Sequence, residues 1–450
     1  MAESNIVAPI FRWANWGISD DIFTWINNSY YYSENLEVRE NSKWISLSKK
    51  LVQDTTSTNQ INVIIKAKSD LFIAWGVGWV CYKCYNGTWS AVTTWNSKAW
   101  YSAAVFNDYV YRCVNNALYK VSVSDFENND TVTPTKVTDL TNSIHHPMLV
   151  SMGDLYIGNG SKLSKVDVSN VFSDLFTMET WGVITKLNDL WWAIRVITQS
   201  ALWNSNIYLW DGVSEIPDET IPLIWYVTYQ SQIYNGYPYL VTNRWLGILD
   251  WYKIYPLKKI DDFANIDYWI WIYNEKLIIA GRNWIYSWGA KNKNYSEVLS
   301  YDYVSSGQVT CIYSDWIDLY VAWKKTVSWA NTYWIDKLST SVYNTTGYLI
   351  TRGYYANSLK EVKEWIKAWI WYSDLATWQC VEIKYSINGW EFKDLRTITP
   401  TTSTIESFTE DMFVRDRFQY IQFKIILTWN GTNTPSFYAL DFMFNNNVLR

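Results

Sequence analysis

Apolar and polar positions alternate along most of this chain in short runs, and one arrangement of them recurs. Asn, Gly or Ser precedes an acidic residue, alternating apolar and aromatic residues follow, and a small turn leads to an Ile/Leu/Val-Tyr pair. The copies are SDLFIAWGVGWVCY from Ser69, NDYVYRCVNNALYKV from Asn107 and GDLYIGNGSKLSKV from Gly153. They continue with NDLWWAIRV from Asn188, a looser NGYPYLVTNRWLGIL from Asn235, NEKLIIAGRNWIYSW from Asn274 and SDWIDLYVAWKKTVSW from Ser314. Each reads as a β-hairpin: Leu155-Tyr156-Ile157 or Leu277-Ile278-Ile279 is a short β-branched and aromatic strand, and Ile285-Tyr286-Ser287-Trp288 is the strand after a turn. The second residues, Asp70, Asp108, Asp154, Asp189, Gly236, Glu275 and Asp315, are spaced by about 41 residues, the length of a four-stranded propeller blade. Strands this short, with no convincing helix between them, leave little room for a parallel α/β fold. The spacing predicts an all-β chain: a β-propeller of about seven blades over residues 55–350.

The flanks do not repeat. Residues 1–54, polar and aromatic, read as an extended N-terminal arm that docks on the propeller or on a neighbouring subunit, with Tyr30, Tyr31 and Tyr32 as anchors. Residues 351–450 read as a small C-terminal antiparallel β-sandwich. There Val381–Leu395 alternates around a turn at Asn388-Gly389, Phe418–Leu427 alternates again, and Ser436–Phe444 closes after Pro435. Leu359–Tyr372 fits both an amphipathic helix, with Leu359, Val362, Ile366 and Trp369 on one face, and a strand. Its all-β surroundings favour the strand.

The opening and closing segments carry a resemblance. WGISDDIF…NSYYYSENLEVRENSKWISLSKK and FQYIQFKIILTWNGTNTPSFYALDFMF, with the hairpin repeats between them, resemble a family of bacteriophage virion proteins that serve as tail or structural components. The likeness is one of layout over nearly the whole chain. It implies a virion protein made in the host bacterial cytoplasm, located in the tail or at its tip. Its implied partners are other virion proteins, copies of itself, and a host surface glycan or protein.

Composition sharpens two points. The 450 residues include 31 Trp and only 18 Gly, where an average chain has about 7% Gly. At matched strand ends LIIAG closes on Gly281, but LFIAW closes on Trp75 and LYVAW on Trp323. Trp284, Trp390 and Trp429 likewise stand at expected turns, where a positive φ favours glycine and strains a bulky residue. Some bacterial lineages read UGA as glycine and others as tryptophan, and their phages follow the host. Many of these tryptophans are therefore expected to be UGA codons meant as glycine, whereas Trp210 and Trp288 read as genuine strand tryptophans. The alternative is a truly Trp-rich protein that stacks sugar rings on indoles. The net charge of −5 gives no electrostatic footprint for nucleic acid, and no apolar run suits a membrane span or a signal peptide.

Catalytic chemistry is sparse. Five cysteines (Cys81, Cys84, Cys113, Cys311 and Cys380) are too few and scattered for a disulfide framework. Cys81 and Cys84 make a lone CxxC and read as incidental strand residues. His145 and His146, the only histidines, read as loop residues, and the acidic pairs Asp20-Asp21 and Asp261-Asp262 as solvated loops. No nucleotide cradle is present. No catalytic, cofactor-binding or metal-binding residue is assigned and no cofactor is expected. The reading is a non-enzymatic virion structural protein acting through protein–protein interfaces. The alternatives are a carbohydrate-binding or depolymerising propeller that engages host surface glycans, and a cellular propeller scaffold.

Overall fold

The computed structural model describes the chain except residues 1–4, 13–29, 38–44, 77, 79, 95–101, 115, 142–145, 179–181, 201–203, 215, 224–225, 244, 251–252, 260–269, 282–283, 290–297, 305–306, 355–361, 401–404, 410–416, 430–432 and 448–450. Two compact units make it up: residues 53–283 with 305–337, and residues 1–52 with 284–304 and 338–450.

Seven four-stranded meanders follow one another along the chain. Their opening strands are Ile61–Lys68, Ala103–Phe106, Met148–Ser151, Gly182–Asp189, Thr228–Tyr234, Ile270–Tyr273 and Gln308–Ser314. Each opening strand lies against the next, and Gln308–Ser314 lies against Ile61–Lys68, so within the first unit the seven close a ring. This is the β-propeller. The repeated polar-acidic pairs fall on or directly beside the first turn of each blade: Asn107-Asp108 lies between Phe106 and Tyr109 and Asn235-Gly236 between Tyr234 and Tyr237, while Asn188-Asp189 ends the opening strand. The loose fifth copy forms a blade like the others, with Thr228–Tyr234, Tyr237–Thr242, Trp245–Asp250 and Lys253–Lys259 in chain order. The alternation works as read: Leu155 and Ile157 pack between blades two and three, while Tyr156, on the other face, packs toward blade four beside Trp210.

The seventh blade takes its fourth strand, Lys49–Ser57, from ahead of the first. Where it meets blade one, Phe72, Tyr82 and Cys84 pack against Cys311, Tyr320 and Ile335. Lys66 of the first blade also pairs with Asp315 of the seventh. One helix is present among the described residues, Val123–Asn128, between the third and fourth strands of blade two. The Ser122 hydroxyl accepts from the Ser124 amide and caps it, and Phe126 is fully buried edge-on to Trp75 at 5.1 Å.

The second unit holds two five-stranded sheets that share one core. One runs Asn5–Arg12, Phe437–Asn447, Val362–Tyr372, Ile405–Thr409, with Arg417–Phe418 also on Val362–Tyr372. The other runs Tyr30–Glu34, Thr346–Thr351, Ile421–Thr428, Cys380–Ile387, Lys393–Ile398. Val381, Ile383 and Tyr385 interleave with Ile421, Phe423, Ile425 and Leu427, leaving Glu382 and Lys384 outside. The ambiguous Val362–Tyr372 is a strand. The stretch read as an arm supplies strands to four sheets: Asn5–Arg12 pairs with Phe437–Asn447, Tyr30–Glu34 with Thr346–Thr351, Leu36–Glu37 with Ser46–Leu47, and Lys49–Ser57 completes the last blade.

The named tryptophans do not stand at the positive-φ turn positions expected of them. Trp75 and Trp323 lie inside Leu71–Gly76 and Leu319–Val327, buried and extended; Trp323 stacks on Trp334 at 6.4 Å. Trp284 opens a strand, and Trp390 and Trp429 have ordinary negative φ. Similar strand endings misled here because each blade has its own loop after the second strand. Trp210 and Trp288 do sit on strands; the Trp210 indole N–H donates to the Ser214 carbonyl at 2.7 Å.

Candidate functional site

The residues singled out for chemistry turn out to be mostly structural. Cys81 and Cys84 share the strand Val80–Tyr85, and an odd spacing of three sends their side chains to opposite faces. Cys81 packs with Trp75 and Val92, and Cys84 with Tyr320, so the CxxC cannot close on one ion. Burial pushes their thiols up to about 12 and about 11, and that of Cys311 to about 12. Cys113 is raised by the same cause. Such thiols stay protonated at neutral pH and are poor nucleophiles. His146 is buried, its Nδ1 2.8 Å from the Gly158 carbonyl oxygen, which fixes the ring against blade three. His145, Asp20, Asp21, Asp261 and Asp262 lie outside the described residues.

A polar interior region lies in the seam between blades four and five. A bulge between Ile184 and Lys186 resets the alternation of Gly182–Asp189. Ile184 and Leu187 then both enter the core toward blade three, and Lys186 and Asn188 turn to the other side. Asn188 stands opposite Arg195 in the register, and its Nδ2 donates to the Ser231 carbonyl of blade five at 3.1 Å. The Asn188 Oδ1, the Arg195 Nη1, and the Thr228 and Ser231 side-chain oxygens are buried there without a hydrogen-bond partner. Desolvation pushes Lys186 down to about 8 and lowers Arg195, which Glu219 partly offsets.

Chemically the seam offers two cations and several amide and hydroxyl groups, with no carboxylate pair, thiol or imidazole among them. It can hold water or a polar ligand by hydrogen bonding, and it contains no nucleophile–base couple. Sequence reading passed it over. The signal was there in the polar run Gln230-Ser231-Gln232 and in Lys186, both inside strands that otherwise read as core.

The molecule's exposed aromatics form the other candidate. Trp191, Trp192, Trp316, Trp329, Trp378 and Trp390 all expose most of their surface. A planar exposed indole is the group on which sugar rings stack.

No protein-family model matches the chain, and no curated protein sequence matches it. Among solved structures it is similar to a streptogramin B lyase at 10% identity, covering 64% of this chain and 98% of that one with a TM-score of 0.48. It is similar to the WD40 β-propeller domain of Doa1 at 9% identity, with 65% and 98% covered and a TM-score of 0.46. A third likeness is to YCF48 bound to D1 peptide, at 10% identity, 66% and 96% covered and a TM-score of 0.45. The closed ring of seven opening strands is itself the mark of the fold: the protein is all-β and built on a β-propeller.

Proposed function

We propose that the protein is a non-enzymatic structural component of a bacteriophage particle, in its tail or at the tail tip, which works through protein–protein interfaces. The observation that carries this reading is how the chain's ends are fastened. The strand Asn5–Arg12 lies antiparallel on Phe437–Asn447, so the first and last strands share one sheet. The blade ring is closed by Lys49–Ser57, a strand from the opposite end of the propeller's own sequence. Pulling on either end loads a ladder of backbone hydrogen bonds in shear, which suits a part that holds its neighbours under force. Among the described residues the sheet edges at Ile405–Thr409 and Lys393–Ile398 have one neighbouring strand each, and such edges are docking sites for another chain.

Purified phage particles analysed by quantitative mass spectrometry test the reading. The protein is expected at a fixed copy number per particle and in isolated tails; its absence from particles that assemble and infect normally would overturn it. A second reading, a propeller that binds or depolymerises host surface glycans, is favoured by the exposed indoles. Retention of the protein on a glycan array, lost on substitution of Trp192 and Trp390, would support it.

A further inference from the structure

We infer that Trp191, Trp316, Trp329 and Trp378 stand at glycine positions, and that the protein made in its own host carries glycine there, from UGA codons. These are the tryptophans with left-handed backbone among the described residues, at φ 74°, 76°, 72° and 72°. Left-handed backbone brings a Cβ against the following carbonyl, so it is the preserve of glycine, with Asn and Asp as the usual substitutes. A β-position bearing an indole has no local hydrogen bond to offset that strain. Nor is it offset by burial, because the four side chains are 94%, 64%, 99% and 76% exposed.

The chain supplies its own glycine-bearing counterparts. Two-residue hairpin turns with both φ positive occur at Asn86-Gly87 (49°, 77°), Met152-Gly153 (50°, 84°), Asn235-Gly236 (50°, 82°) and Asn388-Gly389 (53°, 80°). Ser328-Trp329 (47°, 72°) is the same turn, closed by the pair Val327 and Ala330, with Trp where those four have Gly. Where the second residue is Asp108 or Glu275, its φ relaxes to 62° or 58°; Trp329 stays nearer the glycine values.

A second match is closer still. Asp211 precedes Gly212 (φ 87°), and its Oδ1 accepts from the amides of Val213 and Ser214, both at 2.8 Å. Asp315 precedes Trp316 (φ 76°), and its Oδ1 accepts from the amides of Ile317 at 3.2 Å and Asp318 at 2.8 Å. The loop is identical in design, with Trp in the place of Gly. In the turn Ala376–Gln379 the Gln379 amide donates to the Ala376 carbonyl at 3.0 Å, and Trp378 takes the third position. With positive φ at that residue alone, it is the position that a type II turn gives to glycine. Trp191 follows the same logic in the loop that Asp189 organises by accepting from its amide at 2.8 Å.

The consequence for function is direct. With glycine at these positions, four of the six most exposed indoles among the described residues disappear from the surface, and with them most of the support for a sugar-stacking face.

Two measurements test the inference. The gene is read at codons 191, 316, 329 and 378, and protein isolated from its own source is sequenced by peptide mass spectrometry across the same residues. UGA codons and glycine-containing peptides are expected; UGG at these codons, or tryptophan in the peptides, overturns it. In parallel, the full-length chain with all four changed to glycine is compared with the tryptophan form by thermal unfolding. Relief of the strain is expected to raise the midpoint by about 2–4 °C or more. Trp210→Gly, at a buried and hydrogen-bonded indole, is expected to lower it. An unchanged or lower midpoint for the four-fold variant, or an equal rise from Trp210→Gly, would overturn the assignment.

Discussion

Lys186 shows how much a single side chain can set. It occupies the seam side of a bulged strand, and desolvation alone pushes it down to about 8. A lysine in the unfolded chain titrates near 10.4, so between roughly pH 8 and 10.4 the unfolded state holds more protons than the folded one. Stability from this group therefore rises with pH across that window, and below it the full cost of a buried charge is present. Lys186→Met is expected to stabilise the protein at pH 7 by about 1–2 kcal/mol. In urea titrations the gap between variant and parent should close as pH climbs toward 10; a gap independent of pH would show that the ammonium is not the cost. The neighbouring Asn188, Thr228 and Ser231 belong to the same polar seam. The sequence reading passed them over because side-chain polarity there runs against the pattern of the strands that carry them. Only the bulge, a backbone feature, explains the reversal.

Single elements were more legible. The hairpin repeat marks the first turn of all seven blades because turn chemistry and alternation are local properties, readable from adjacent residues. The Asn388-Gly389 turn has the paired positive φ values its sequence implies, 53° and 80°. The helix Val123–Asn128 was not legible: six residues give no periodicity, and it is held by a cap and one buried ring. Phe126 fills the space between blades one and two against Trp75. Phe126→Ala is thus expected to cost about 3–5 kcal/mol, whereas Ser122→Ala, which removes only the cap, should cost about 1 kcal/mol. Equal losses in chemical unfolding would mean that the helix contributes through its end and not through its packing. The destination of residues 5–57 was equally unreadable. Which strand a segment joins depends on partners some 300 or more positions away, such as Tyr30 opposite Thr351, and no local pattern encodes that.

At the scale of the whole molecule, the ring has one place where its two ends meet, and an ion pair stands there. Burial would raise the Asp315 carboxyl, but hydrogen bonds from Lys66 and from the Asp318 amide outweigh it and hold the group below its ordinary value. A depressed carboxyl contributes stability that is complete above the unfolded value near 3.9 and is lost as pH falls through the lower folded value. Asp315→Asn keeps an acceptor for the loop amides and removes the charge, so a loss of about 1–2 kcal/mol is expected at pH 7. That deficit should shrink in acid below about pH 4, and calorimetry across pH 2–7 checks it; a constant deficit would assign the loss to the loop and not to the pair.

The fourth strand of the last blade has a consequence in time as well as in space. A ribosome delivers Lys49–Ser57 long before its partner Ala330–Tyr343 exists, and delivers Asn5–Arg12 before nearly all the rest of the chain. During that interval these segments are bare strand edges, free to pair with the same segments of other nascent copies. Slow synthesis should therefore be harmful to this protein, and its soluble yield should depend on crowding of ribosomes along its message. The ring can close once Ala330–Tyr343 has been made, while Asn5–Arg12 waits for Phe437–Asn447.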